Sequence, residues 1–456
     1  MSVKVILIVF LTCYSLLLHS NSKKIYFEND PQEDDRVKSM PDDYPYKVSE
    51  NKMYSGYLNV DKSGSKQLHY IYLEAQTEPS KAPILIWLNG GPGCSSMLGF
   101  VDENGPTYIE STSDDKFSIN LNPFSWNKLA NVLYIESPAG VGFSIASKPE
   151  DLIFSDEKVT NDNLGALLSF YEKFPELKSK DLYISGESYA GVYIPFFADK
   201  ILNYNLQSKE EDKINIKGVL IGNGVTDLSV DIEASLPEYA LTHNIISDEM
   251  KSLLDKYNCS ENFKTNTCKT IYVDLMNKIS RLNIYDIYGK CYVKNTVNYT
   301  PWSDFTQLNN TPPCIDDRAQ LWFLNRKDVK KSFNIHEEMK FAMCNEYIQN
   351  KYEDGIGSFH LYKNLLKKIR IWIFSGDADA CVPTNGTRKW IKKLQLPIVK
   401  PWRSWRIKKE NIAGYVEDYD GLTFVTFKAI GHMVPQKARE ESLKMLKTFL
   451  GTEYLN

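Results

Sequence analysis

The chain has 456 residues, 43% hydrophobic, 25% charged and 12% aromatic. This composition supports a large apolar core and excludes a disordered or collagen-like polymer. Lysine and arginine number 54 against 58 aspartates and glutamates, a formal charge of −4. With no basic excess to neutralise a phosphate backbone, nucleic acid is excluded as the main partner.

At the start, Lys4 precedes an apolar run over 5–18, interrupted by Thr12, Cys13, Tyr14 and Ser15. His19-Ser20-Asn21-Ser22 follows, with small residues at cleavage-like spacing. Residues 1–22 read as a secretory signal peptide, a retained anchor being the alternative. No later stretch is long and apolar enough for a bilayer, so no stable membrane insertion is expected after leader removal. Of the 8 cysteines, Cys13 falls in the leader. The others (Cys94, Cys259, Cys268, Cys291, Cys314, Cys344 and Cys381) allow three bridges and one spare thiol, which suits an oxidising compartment. No Cys-x-x-Cys pair supports a zinc ribbon. Asn258, Asn298, Asn309 and Asn385 each open an Asn-x-Ser/Thr acceptor and fit a glycosylated surface.

Residues 23–50 are polar and acidic and read as an extended arm or short pro-segment. The pattern then changes. Strands separated by a turn at Ser63-Gly64 are expected at 56–60 and 68–73. A continuous apolar run at 83–88 ends at Asn89-Gly90-Gly91-Pro92-Gly93, as a strand buried on both faces would. Runs at 131–135, 182–185 and 216–221 share this build, and helices fit at 162–173 and 193–204. Strands alternating with helices imply a mainly parallel sheet covered on both sides. The core is thus expected at 51–224 and again at 369–456, with late strands at 369–374 and 422–427. Between them, 225–368 lacks apolar strand runs and holds five of the cysteines and three of the four acceptor asparagines. It reads as an inserted helical lid, favoured over an independent disulfide-rich module because the sheet pattern resumes after it.

Ser188 lies in Ser185-Gly186-Glu187-Ser188-Tyr189-Ala190-Gly191, between an expected strand and an expected helix. A serine on such a bend exposes its hydroxyl and needs small neighbours; here Ala190 stands where glycine is usual. A hydroxyl attacks well only when a base takes its proton. In this fold class the acid and then the histidine follow the serine. Of 6 histidines, His19 is in the leader, His69 precedes the serine, and His243, His336 and His360 fall in the expected lid. His432 remains, on a turn after the last strand. Asp377 or Asp379 could orient it; Gly-x-x-Asp spacing favours Asp379, leaving Asp377 to tie down the turn. An oxyanion needs backbone donors, expected from Tyr189 and from Gly91 in the glycine-rich loop.

With these residues in place, the chain resembles the serine carboxypeptidase family of α/β-hydrolases. The shared stretches SGYLNV, WLNGGPGCSS, ENGP, NVLYIESPAGVGFS, SGESYAGVYIP, IGNGVTD, FSGDADACVP and GHMVP follow family order over nearly the whole mature chain. The resemblance puts the triad on Ser188, Asp379 and His432. It implies that Asn89, Gly90, Glu103 and Glu187 bind the free carboxylate of a peptide C-terminus. Two neighbouring carboxyls raise each other's apparent pKa, and protonated they donate to that carboxylate instead of repelling it. The resemblance also implies the bridges Cys94–Cys344, Cys259–Cys268 and Cys291–Cys314, with Cys381 free. Two departures lie near His432: Gln436-Lys437-Ala438-Arg439 where the family often has a proline, and Ala429-Ile430-Gly431 for the more usual Gly-Ala-Gly.

The expected fold is therefore an α/β-hydrolase with a lid. The expected activity is removal of single residues from peptide C-termini through an acyl-enzyme, favoured at acidic pH. No metal or organic cofactor is implied, and the compartment is secreted or lysosomal/vacuolar. A serine carboxypeptidase-like acyltransferase and a non-catalytic glycoprotein scaffold are the alternatives.

Overall fold

The apolar runs bounded by glycine become the centre of one sheet. The computed structural model describes residues 31–113, 116–262, 265–280, 282–292, 314–451 and 454–455. The expected leader at 1–22 and the acceptors Asn298 and Asn309 lie outside the described residues. The chain divides into two units, Met1–Asp34 and Asp35–Asn456, and every strand among the described residues belongs to the second.

The strands are β1 (Met53–Asn59), β2 (Lys66–Leu73), β3 (Ile84–Leu88), β4 (Thr107–Ser113), β5 (Lys116–Leu121), β6 (Asn131–Ile135) and β7 (Ile145–Ala146). They continue with β8 (Leu182–Glu187), β9 (Ile216–Gly222), β10 (Arg370–Gly376), β11 (Ile398–Lys408), β12 (Asn411–Tyr419) and β13 (Leu422–Phe427). Eleven form one sheet in the order β1-β2-β6-β3-β8-β9-β10-β13-β12-β11, with β7 beside β2; β4 and β5 make a separate hairpin. From β6 through β13 the central pairings are parallel, and both flanks are antiparallel. Every residue of β3, β6, β8 and β13 is buried. A strand covered on both faces can place apolar side chains at successive positions, which explains the unbroken runs.

Alternation along β3 shows the two cores. Ile84 and Ile86 join the cluster formed with helices α1 (Asp156–Lys173) and α2 (Ala190–Gln207). Leu85 and Trp87 join the opposite cluster, with Trp126 and the C-terminal helix Arg439–Leu450. Ser155 caps α1 by accepting from Lys158 N.

Two expectations change on packing grounds. The segment 23–50 is not a free arm over its second half, because Val37, Tyr44, Tyr46 and Val48 are buried in the second core. Its apolar bulk is carried by tyrosines among acidic residues and prolines, which masks the pattern. The stretch 225–368 divides in two. Helices α3 (Leu236–Thr242), α4 (Asp248–Lys256) and α5 (Asn266–Ile279) bury their own cluster, which includes Cys259 and Cys268. Helices Arg318–Leu324 and Lys327–Ser332 instead put Phe323, Leu324 and Val329 into the main body beside Phe100 and Trp126. The hairpins β4–β5 and β11–β12 were not expected: β11 contains Pro401 and several basic residues, as an edge strand can.

Candidate active site

Strand β8, paired in parallel on both sides, delivers Glu187 and then Ser188 to the carboxyl edge of the sheet. Ser188 has φ 63°, a left-handed conformation that costs a non-glycine residue on the order of 1 kcal/mol or more. The surroundings hold it there. Its N–H donates to Gly222 O at 3.1 Å, and its carbonyl accepts from Gly191 N at 2.9 Å and Val225 N at 3.0 Å. Helix α2 starts two residues later, so the hydroxyl stands on a sharp strand-to-helix bend. Ser188 and His432 line one cavity of about 360 Å³, together with Asn89, Glu103, Glu187 and Tyr189.

His432 follows β13 on a turn pinned at both ends. Asp377 Oδ1 accepts from Ala429 N at 2.6 Å, and His432 N donates to Tyr285 O at 2.6 Å. The ring Nδ1 lies 2.6 Å from Asp379 Oδ2. Asp379 is fully buried and accepts from Cys381 N at 2.8 Å, Val382 N at 3.3 Å and Asn223 Nδ2 at 2.8 Å. A carboxylate surrounded by donors takes Nδ1–H as a further one, which directs the lone pair of Nε2 away from Asp379. That Nε2 is buried and has no hydrogen-bond partner among the described residues.

The loop after β3 lies against the serine bend. A Cβ on Gly90 would sit 2.3 Å from Tyr189 N, so only glycine permits this approach. Gly91 has φ +116°, a conformation that also requires glycine. Neither the Gly91 nor the Tyr189 amide finds an acceptor among the described residues. Asn89 is oriented by its neighbours: Oδ1 accepts from Trp87 Nε1 at 2.7 Å and Gly99 N at 3.2 Å. Its Nδ2 therefore faces the two acids, donating to Glu103 Oε1 at 2.9 Å and Glu187 Oε1 at 3.1 Å. Burial lifts the Glu103 carboxyl to about 7 against the pull of the Asn89 hydrogen bond. Burial, then the Glu103 charge, lifts Glu187 well above the ordinary carboxylate range.

The structure joins Cys94 to Cys344, Cys259 to Cys268 and Cys291 to Cys314. Cys381 is unpaired and lines the cavity, and burial pushes its thiol pKa up. Asn258 is exposed. Asn385 is not: its Nδ2 donates to Ser235 O at 2.9 Å, and Thr387 of its acceptor triplet is buried.

Sequence reasoning missed two members of the site. Asn223 holds Asp379 as described and also accepts from Gly376 N at 3.0 Å; its only local signal is its place in the Gly-Asn-Gly turn that ends β9. Asp102 lines the cavity, accepts from Gln320 Nε2 at 2.9 Å and from Gln436 Nε2, and is raised by burial to about 6. Its only local signal is its place beside Glu103.

These features can be set beside known proteins. The family model described as serine carboxypeptidase matches residues 44–452. Serine carboxypeptidase-like 20 of Arabidopsis thaliana is similar at 35% identity over 88% of this chain and 90% of that relative. Serine carboxypeptidase 24 of the same plant is similar at 36%, over 93% of each. Kex1ΔP, a prohormone-processing carboxypeptidase from Saccharomyces cerevisiae, shares the fold with a TM-score of 0.74 at 24% identity, over 92% of this chain and 96% of that one. With a match across 44–452, on a serine bend and a histidine–aspartate pair at one sheet edge, the chain belongs to the serine carboxypeptidase family.

Proposed function

We propose that Ser188, His432 and Asp379 hydrolyse the last peptide bond of a substrate chain. Ser188 Oγ attacks the scissile carbonyl while His432 Nε2 takes its proton, and Asp379 fixes the tautomer and steadies the resulting imidazolium. The oxyanion accepts from the Gly91 and Tyr189 amides. Collapse returns the proton to the leaving amino acid and leaves an acyl-enzyme, which water opens by the same route.

The substrate's carboxylate docks on Asn89, Gly90, Glu103 and Glu187. The observation that carries this reading is the buried pair of carboxyls with raised pKa in the same cavity as Ser188. Holding protons, the pair donates to an anion; ionised, it repels one. The three disulfides and the leader-like 1–22 support a route through the secretory pathway to a secreted or lysosomal/vacuolar endpoint. Helices α3–α5 are the part of 225–368 that acts as a lid.

The test compares a blocked dipeptide bearing a free carboxylate with its C-terminal amide across pH 4 to 8. The Michaelis constant of the acid should rise as pH passes about 7, and that of the amide should not follow. Parallel profiles for the two substrates would remove the carboxyl pair from recognition.

A further inference from the structure

Beneath the loop after β3 lies a second hydroxyl–imidazole–carboxylate row, fully buried and outside the mechanism above. Ser55 Oγ lies 3.0 Å from His69 Nε2, and His69 Nδ1 lies 2.8 Å from Glu136 Oε2. Ser55 and His69 are 0% exposed and Glu136 is 1% exposed. This row is not a second nucleophilic centre, because the Ser55 hydroxyl donates to Phe333 O at 2.7 Å inside the core. Its far end is informative. Glu136 Oε1 accepts from Ser95 Oγ, and Oε2 also accepts from Phe143 N at 3.0 Å. The Ser95 hydroxyl and the Phe143 N–H are donors to separate oxygens of this carboxylate, which gives it one well-defined place.

Ser95 belongs to the loop that carries Gly91. Its Oγ accepts from Met97 N at 3.0 Å, and its N–H donates to Met343 O at 2.9 Å. The next hydroxyl, Ser96 Oγ, accepts from Asn89 N at 3.1 Å. Cys94 N donates to Gly90 O at 3.0 Å, and a Cβ on Gly91 would lie 2.7 Å from Cys94 N, so Gly91 rests on the backbone next to Ser95. The Cys94–Cys344 bridge ties the loop outward. The Ser95–Glu136 contact ties it inward, through His69 on β2 and Ser55 on β1, to the sheet.

We propose that Ser55, His69, Glu136 and Ser95 form a positioning network that sets the oxyanion loop against the serine bend. Resting on the hydrolase reading above, it extends that reading to residues that never touch substrate. Misplacing a catalytic group by about 1 Å can cost on the order of 100-fold in rate, because the oxyanion donors must meet the charge that develops in the transition state. The network therefore acts on turnover more than on binding.

The experiment measures kcat and KM for a blocked dipeptide with Ser95→Ala, Glu136→Gln and the double variant, and the rate at which a fluorophosphonate labels Ser188. Each single variant should lose about tenfold or more in kcat and in labelling rate, with KM within about twofold. The double variant should be no worse than the poorer single, as expected for residues acting in one chain. If Glu136→Gln does not fold, Ser95→Ala, which leaves the His69–Glu136 contact intact, carries the test alone. An active wild type with Ser95→Ala unimpaired, additive losses, or a KM that rises as kcat falls would overturn the positioning role. A wild type inert to both substrate and probe would overturn the hydrolase reading and this role with it.

Discussion

Replacing Glu103 or Glu187 by glutamine should stabilise the protein at neutral pH and change little in acid. Glu103 is lifted from an ordinary 4.5 to about 7. At about 1.4 kcal/mol per unit, this amounts to about 3 kcal/mol between its two protonation states. The sign follows from proton counting. Between the unfolded and folded values the native protein holds a proton that the unfolded chain has released. The favourable contribution is fully present below about 4.5 and is lost as pH rises through about 7. Glutamine keeps the shape without the titration. Water entering the cavity relieves part of the penalty, so 3 kcal/mol is an upper figure and about 1 kcal/mol is enough to detect. The assay is denaturant unfolding of wild type, Glu103→Gln and Glu187→Gln at pH 4 and pH 7.5. The variant-minus-wild-type difference cancels other titrating groups. Curves that stay parallel at both pH values would refute the claim that this pair holds protons in the native state.

Asn223→Ala should lower kcat by about tenfold or more with KM nearly unchanged, because the Asp379 carboxylate loses its Nδ2 donor at 2.8 Å; esterase kinetics would show it, and a wild-type kcat would remove Asn223 from the machinery. A mercurial should inhibit wild type by obstruction, since Cys381 lines the cavity, and should spare an active Cys381→Ser variant; inhibition that persists in that variant sinks the assignment. Protein made in a glycosylating host should carry glycan at the exposed Asn258 and none at the half-buried Asn385, whose acceptor Thr387 is buried; peptide mapping by mass spectrometry would decide, and an occupied Asn385 would contradict the packing around Thr387.

The central sheet was legible because burial on both faces writes itself locally. Ile84-Leu85-Ile86-Trp87-Leu88 needs no partner to be recognised as a covered strand. His432 could be singled out because few histidines compete with it. What escaped was non-local or masked. Asn223 meets Asp379 across 156 positions, and Gln436 meets Asp102 across 334; no periodicity carries such pairs. Tyr44 and Tyr46 are buried in a segment whose charged neighbours give it the look of an arm. The strand β11 contains Pro401 and alternates basic residues with tryptophans, so its pattern is that of an edge and not of a core.

One cavity also imposes two opposite proton requirements. In the proposed mechanism, recognition of a carboxylate needs a proton held by the Glu103–Glu187 pair, whereas attack needs His432 Nε2 free to receive one from Ser188. The groups are distinct and held by different partners, the pair by Asn89 and the imidazole by Asp379. KM and kcat should therefore report different protonation events. Raising pH through about 7 weakens binding through the first. Glu103→Gln, which removes the group raised by burial to about 7, should flatten the pH profile of KM. A single shared transition in both constants would mean that the pair and the imidazole exchange protons as one unit, and the division of labour drawn from their separate hydrogen bonds would be wrong.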